Sequence, residues 1–158
     1  MTKLIAFDQS TTATGWCVME RKTCHIVASG VIRPLGDTND RISETVKKCL
    51  SLCRIHEPSL VLIEGVQYQK NPKVLEILAK LAGVLEIMLL EKGYTVYVIK
   101  SSTWRSKVGI KSGKRKALKT QAHEMVESLY NLTPPEDECE AILFARAFAQ
   151  ERKEEPKP

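Results

Sequence analysis

Disulfides, zinc ribbons and membrane spans all lack their sequence basis in this chain. Its five cysteines, Cys17, Cys24, Cys49, Cys53 and Cys139, are an odd set without a C-x-x-C pair, so they are expected to be reduced thiols in the interior. Cys49, Cys53 and His56 fall on one helical face and are the sole candidate for a cysteine-based metal site. No apolar run is long enough to cross a bilayer, and the opening residues lack the basic-then-apolar plan of a signal peptide. The expected location is the cytoplasm. Aromatic residues make up only 6% of the chain, with two tryptophans, Trp16 and Trp104, read as packing residues rather than base-stacking platforms. Histidine is scarce too: His25, His56 and His123 adjoin no acidic motif and are read as surface or structural.

What is present is an ordinary globular composition, 43% hydrophobic and 27% charged in 158 residues, enough for one domain with a substantial core. The expected domain covers residues 1–150, followed by a charged, disordered tail over 151–158. Net charge is +5, and its distribution is informative. Lys100, Arg105, Lys107, Lys111, Lys114, Arg115, Lys116 and Lys119 follow one another without an intervening acid, a patch suited to displacing counterions from a phosphate backbone. A merely solvated basic loop is the alternative.

Leu4 to Phe7 is an apolar run of strand composition that ends in Asp8. Strand patterns resume over Thr14–Arg21 and His25–Arg33, and the short connections predict antiparallel pairing. A helix is expected from Thr38 to just before Pro58. Leu60 to Ile63 then forms a second wholly apolar run, again ending in an acid, Glu64; such strands lie in the middle of a sheet covered on both faces. Pro72 opens a long helix to about Lys92 whose apolar set is wider than one stripe, so one side is expected to meet a second subunit. Another strand covers Tyr94–Ile99, the basic stretch reads as a loop with Gly109 and Gly113, and helices follow over Lys114–Tyr130 and after Pro135.

That last helix begins with Asp137, Glu138 and Glu140. Acids in a first turn complement the helix dipole, which is reason enough for any one of them. Asp137 and Glu140, however, are three apart and share a face at the end nearest the sheet. Collected with Asp8 and Glu64, they make a set of carboxylates that repel one another unless divalent cations lie between them. Oxygen donors favour Mg²⁺, with Mn²⁺ as a substitute. Two such ions about 4 Å apart orient a water and take charge from the leaving oxygen, so phosphodiester hydrolysis is the natural reaction.

These residues carry a resemblance. The element order, three antiparallel strands, helix, strand, helix, strand and helices, resembles the RNase H-like α/β fold: a five-stranded mixed sheet, three strands antiparallel and two parallel, flanked by helices. DQSTTATGWCV from Asp8 to Val18 is similar to the first acidic motif of the RuvC family of Holliday-junction resolvases, LVLIEGVQYQKN from Leu60 to Asn71 to the second, and DECEAI from Asp137 to Ile142 to its D-x-x-D-A-L motif. Gly83 and Val84 also match the family's helix. The resemblance implies a metal-dependent endonuclease that cuts four-way DNA junctions as a homodimer, through the helix 72–92, with Asp8, Glu64, Asp137 and Glu140 as metal ligands at a two-ion site. It further implies catalytic help from Lys116, phosphate contact by Lys107 and Lys119, and contact at the crossover by Tyr68 with its neighbour Gln67. Lys70 and, from the basic patch, Arg105, Lys111, Lys114 and Arg115 complete the expected DNA contacts.

The chain departs from the family pattern in places. Glu140 replaces Asp, Gln9 and Ser10 stand where bacterial members have Pro and Gly, and Tyr68 is the one aromatic near the second motif. Such divergence resembles a bacteriophage member acting in the host cytoplasm, with forks or flaps as further substrates. Three other readings stay open: an RNA-processing nuclease on the same fold, a non-catalytic junction-binding module, and a fragment of an actin- or sugar-kinase-like phosphotransferase, whose phosphate loop the segment from Asp8 to Trp16 also resembles.

Overall fold

A computed structural model describes residues 1–150; the expected tail lies outside the described residues. Ten elements follow in order: β1 (Lys3–Asp8), β2 (Thr14–Glu20), β3 (Ile26–Ile32), α1 (Thr38–His56), β4 (Leu60–Glu64), α2 (Pro72–Glu91), β5 (Val96–Ile99), α3 (Ser101–Val108), α4 (Arg115–Tyr130) and α5 (Glu136–Ala149). The five strands form one sheet in the order β3-β2-β1-β4-β5. β1 pairs antiparallel with β2 and parallel with β4, β2 pairs antiparallel with β3, and β4 pairs parallel with β5. This is the mixed sheet expected of an RNase H-like α/β fold.

The central strands are apolar throughout because both faces are covered. Side chains alternate across β1, so Leu4 and Ala6 join one core with Leu62, Trp104, Phe144 and Phe148, while Ile5 and Phe7 join a second with Val46, Cys49, Ile63, Leu81 and Leu85. Helices α3, α4 and α5 cover the first face and α1 and α2 the second. All five cysteines are buried free thiols, and Cys49 and Cys53 are packed in the second core, as the reading of reduced interior cysteines requires.

Local signals fix the helix ends. Asp37 caps α1, accepting from the Asp40 amide while the Asp40 carboxylate accepts from the Asp37 amide, a reciprocal capping box. Asn71 caps α2 ahead of Pro72. Within α2, Leu81, Leu85 and Leu89 are fully buried, whereas Val84, Ile87 and Leu90 stay exposed. The expectation of an apolar set wider than one stripe is therefore met, with Leu81 on the core side.

One stretch differs from expectation. Residues of the basic segment, read as a loop from Lys100, form the helix α3, ended by Gly109 at φ 85°. Trp104 drives this: its fully buried indole stacks on Phe144 at 5.9 Å between ring centroids, and that packing pins the backbone around it. Tertiary burial overrides a polar composition.

Candidate active site

Parallel pairing brings the first two acids together. β1 and β4 run side by side with Phe7 opposite Ile63, so Asp8 and Glu64 leave the sheet at the same end. Gln9 continues the ladder one step further with its side chain. Its Oε1 accepts from the Glu64 amide at 3.0 Å and its Nε2 donates to the Glu64 carbonyl at 2.5 Å. A side-chain amide thus stands in for a backbone peptide and holds the end of β4, which is a role for the residue that replaces the family's proline.

The third and fourth acids arrive on α5 by way of a glycine. Gly15 pairs with Asp8 across β1 and β2, and a Cβ on Gly15 would stand 1.9 Å from the Asp137 carbonyl oxygen. Only a residue without a side chain lets the start of α5 lie against β2 here. Beyond that contact α5 is anchored by fully buried Ala141, Ile142, Leu143, Phe144 and Ala145. Its first-turn acids divide by role: Glu138 turns away and accepts from the Ser29 hydroxyl at 2.6 Å, Glu136 lines the cavity's edge and is neutralised there by Lys119 at 2.6 Å, and Asp137 and Glu140 line the cavity that Asp8 and Glu64 also line.

That cavity has a volume of about 670 Å³. Its wall includes Asp8, Glu64, Asp137 and Glu140, the loop Ser10–Ala13, Gln67, and the cations Arg105, Arg115 and Lys119. The hydroxyl-rich loop is closed on itself: Ser10 Oγ donates to the Ala13 carbonyl at 2.7 Å, and Thr14 Oγ1 donates to the Ser10 carbonyl at 3.0 Å. These hydroxyls of Ser10 and Thr14 build the turn itself.

Electrostatics at the site are strained in one direction. Burial pushes the Asp8 carboxyl well above its usual range, and the neighbouring Glu64 and Glu140 push it further. Burial raises Glu64 as well, opposed by the Trp104 indole, whose Nε1 donates to Oε2 of Glu64 at 3.1 Å. Asp137 is raised by burial and then by Glu140 and Glu136. Glu140 lies 3.6 Å from the Arg105 guanidinium. As the side chains stand, no three His, Cys, Asp or Glu among the described residues form a ready coordination shell. The donor chemistry nevertheless fits a hard divalent cation, since all donors are carboxylate oxygens and a cation would offset both the burial that chiefly raises Asp8 and the repulsion that Glu64 and Glu140 add to it.

Other residues singled out in the sequence are more dispersed. Tyr68 is 83% exposed on the loop after β4, and Lys70 is exposed two residues on. Lys111, Lys114 and Lys116 are exposed around the start of α4 and do not line the cavity. Lys107 points elsewhere: its Nζ lies 5.0 Å from the centre of the Phe148 ring, beside a second groove between α3, α4 and α5. Sequence reading missed Trp104 and Gln9 as site residues; the signal available was that each lies next to a polar or charged motif rather than within an apolar run.

Comparison with known proteins agrees with this geometry. Residues 4–148 match the family described as crossover junction endodeoxyribonuclease RuvC. A protein of that name from Burkholderia ambifaria is 30% identical over 152 residues, 93% of this chain and 81% of the relative. Another from Pseudomonas paraeruginosa is 28% identical, covering 94% of this chain and 87% of its own length. Among solved structures, Thermus thermophilus RuvC in complex with a Holliday junction substrate superposes with a TM-score of 0.76 at 14% identity, over 93% of this chain and 92% of that one. The yeast mitochondrial Holliday junction resolvase gives 0.60 at 13% identity, over 94% and 78%. The last two share the fold. With its profile matched across nearly the whole chain, the protein belongs to the crossover junction endodeoxyribonuclease RuvC family.

Proposed function

We propose that this protein is a metal-dependent endonuclease that resolves four-way DNA junctions by hydrolysing phosphodiester bonds. The observation that carries the reading is the convergence of Asp8, Glu64, Asp137 and Glu140 on one cavity rimmed by Arg105, Arg115 and Lys119. The carboxylates are the ligands of Mg²⁺ or Mn²⁺, two ions per site; when bound, such ions orient a water and offset charge on the phosphate. Arg115 and Lys119 take the scissile strand's phosphates, Lys116 with Lys111 and Lys114 extends that contact along the backbone, and Tyr68 with Gln67 and Lys70 meets the unpaired region at the crossover. Arg105 offsets Glu140 and is available to a phosphate. Lys107 contacts DNA only if the duplex extends to the far side of α3. A silent binding module fits poorly, because a cluster of acids facing phosphate weakens binding without a cation. The departures at Gln9, Ser10 and Glu140 support a bacteriophage-type member that acts in the cytoplasm of its host, with the chain folded as one domain over residues 1–150. The test of substrate class is a competition among a labelled four-way junction, a Y-fork, a linear duplex and a structured RNA. Preferential cutting of the junction supports the reading, and preference for RNA overturns it.

Two expectations accompany this proposal. Asp8, Glu64 and Asp137 have folded pKa values raised above their unfolded ones. A raised carboxyl favours folding below its unfolded pKa, and that contribution is lost as pH rises through the folded value. In chelator the melting temperature should therefore fall between about pH 4 and neutral pH, and Mn²⁺ should restore it. Asp8→Asn should melt higher than wild type in chelator at neutral pH, by roughly 2–4 °C for each kcal/mol of repulsion relieved. Equal melting of both proteins across that range would contradict the repulsive cluster.

The homodimer is proposed through the exposed face of α2 formed by Val84, Ile87 and Leu90, beside Gly83, where a Cβ would meet nothing within 4 Å. Ile87→Asp should shift sedimentation from dimer to monomer and make melting independent of protein concentration. A wild type that sediments only as a monomer at micromolar concentration would retire this interface.

A further inference from the structure

We propose that Trp104 is a positioning residue for the reaction: its indole N–H holds the Glu64 carboxylate in the orientation in which a divalent cation meets it. The inference rests on the proposed role of Glu64 as a metal ligand and adds to it the group that prepares that ligand. Trp104 sits on α3, which the basic composition of the segment conceals, and its ring is fully buried. The ring is fixed from two sides, by stacking on Phe144 at 5.9 Å and by the Arg105 guanidinium carbon 5.1 Å from its centre. A buried indole needs a partner for its one donor, and the partner here is Oε2 of Glu64 at 3.1 Å.

The backbone of Glu64 is held as firmly as its side chain. Gln9 brackets its amide and carbonyl, and Gly65, the next residue, donates its amide to the Ile99 carbonyl at 2.8 Å. What would remain free in a glutamate so anchored is rotation about its side-chain torsions, and the indole removes it. With Oε2 held by the indole, the carboxylate is oriented beside the Asp8 carboxyl, with which it also shares a hydrogen bond, and a cation would meet the two together. Glu140 is restrained in parallel by Arg105, 3.6 Å away, so adjacent residues of α3 hold carboxylates that come from two different elements, β4 and α5. Loss of partners that orient a ligand lowers metal affinity by about 10- to 100-fold. An unrestrained glutamate, by contrast, must lose side-chain freedom when the cation binds.

The test measures Mn²⁺ binding to the free protein by electron paramagnetic resonance, without DNA. It compares wild type, Glu64→Gln, Trp104→Phe, and a protein in which Trp104 alone is replaced by benzothienylalanine in a Trp16→Phe background. The sulfur analogue keeps the shape and stacking of the indole and removes the donor, so it stays informative if the phenylalanine variant fails to fold. The Trp16→Phe protein with Trp104 intact serves as its reference. The expected result is a fall in Mn²⁺ affinity of about tenfold or more for the analogue relative to the reference, with its junction binding in chelator unchanged. Affinity within twofold of the reference, in a protein where Glu64→Gln does reduce it, overturns the role of Trp104 and leaves the ligand assignment standing. Affinity that Glu64→Gln also leaves untouched overturns both.

Discussion

Glu64→Gln should abolish junction cleavage while leaving junction binding at wild-type strength or tighter. The substitution is close to isosteric, and the contacts that hold position 64 survive it. Gln9 binds its backbone, and the Trp104 N–H still finds an oxygen on an amide. What is lost is the negative charge that a divalent cation needs. Metal stabilisation of the transition state is worth several kcal/mol, so the cleavage rate should fall by about 10³-fold or more. Binding should hold because removing a carboxylate from a cavity that faces phosphate relieves repulsion. Asp8→Asn should behave in the same way, since Asp8 leaves the sheet beside Glu64. The check is a gel-shift titration in chelator beside single-turnover cleavage in Mg²⁺; parallel loss of binding and cleavage would remove Glu64 and Asp8 from the ligand set.

Gly15→Ala should be the most damaging single methyl in the molecule. Its Cβ would stand 1.9 Å from the Asp137 carbonyl oxygen and 2.4 Å from the carbonyl carbon, and those are backbone atoms with no rotamer to move. Either the start of α5 lifts from β2 or β2 bends away from β1, where Gly15 pairs with Asp8. Overpacking a core costs about 1–3 kcal/mol where side chains adjust, and a clash with fixed backbone belongs at the top of that range or beyond it. The activity loss should exceed the stability loss, because the displaced segment carries Asp137 and Glu140. Denaturant unfolding and single-turnover cleavage together test this. A variant with wild-type stability and rate would mean that α5 does not rest on Gly15.

How much of this was legible in the sequence depends on what encoded it. The paired strands ending in Asp8 and Glu64 could be read because an uninterrupted apolar run is a strong signal for a central strand, and a charge at its end stands out. The pairing of Asp137 with Glu140 followed from helical spacing. Division of labour within that turn did not, because Ser29 and Lys119, the partners of Glu138 and Glu136, are distant in sequence. Helix α3 was hidden for a similar reason: the single residue that folds it, Trp104, acts through Phe144 and Glu64, forty residues away on either side. Gln9 looked like a departure from a family pattern and proved to be a strut, which only the register of β1 against β4 reveals. The wide apolar set of α2 was read as more than one core-facing stripe, but that Leu81 lies on the core side needed the packing of α2 against the sheet.

The measurement closest to the central claim is nick mapping on a synthetic four-way junction labelled on each strand in turn, with Mg²⁺ added to metal-free protein. The account predicts paired nicks at symmetric positions on two opposed strands, appearing only with the cation and absent in Glu64→Gln. Cleavage that proceeds in chelator, or tight junction binding that yields no nicks in either Mg²⁺ or Mn²⁺, would contradict it.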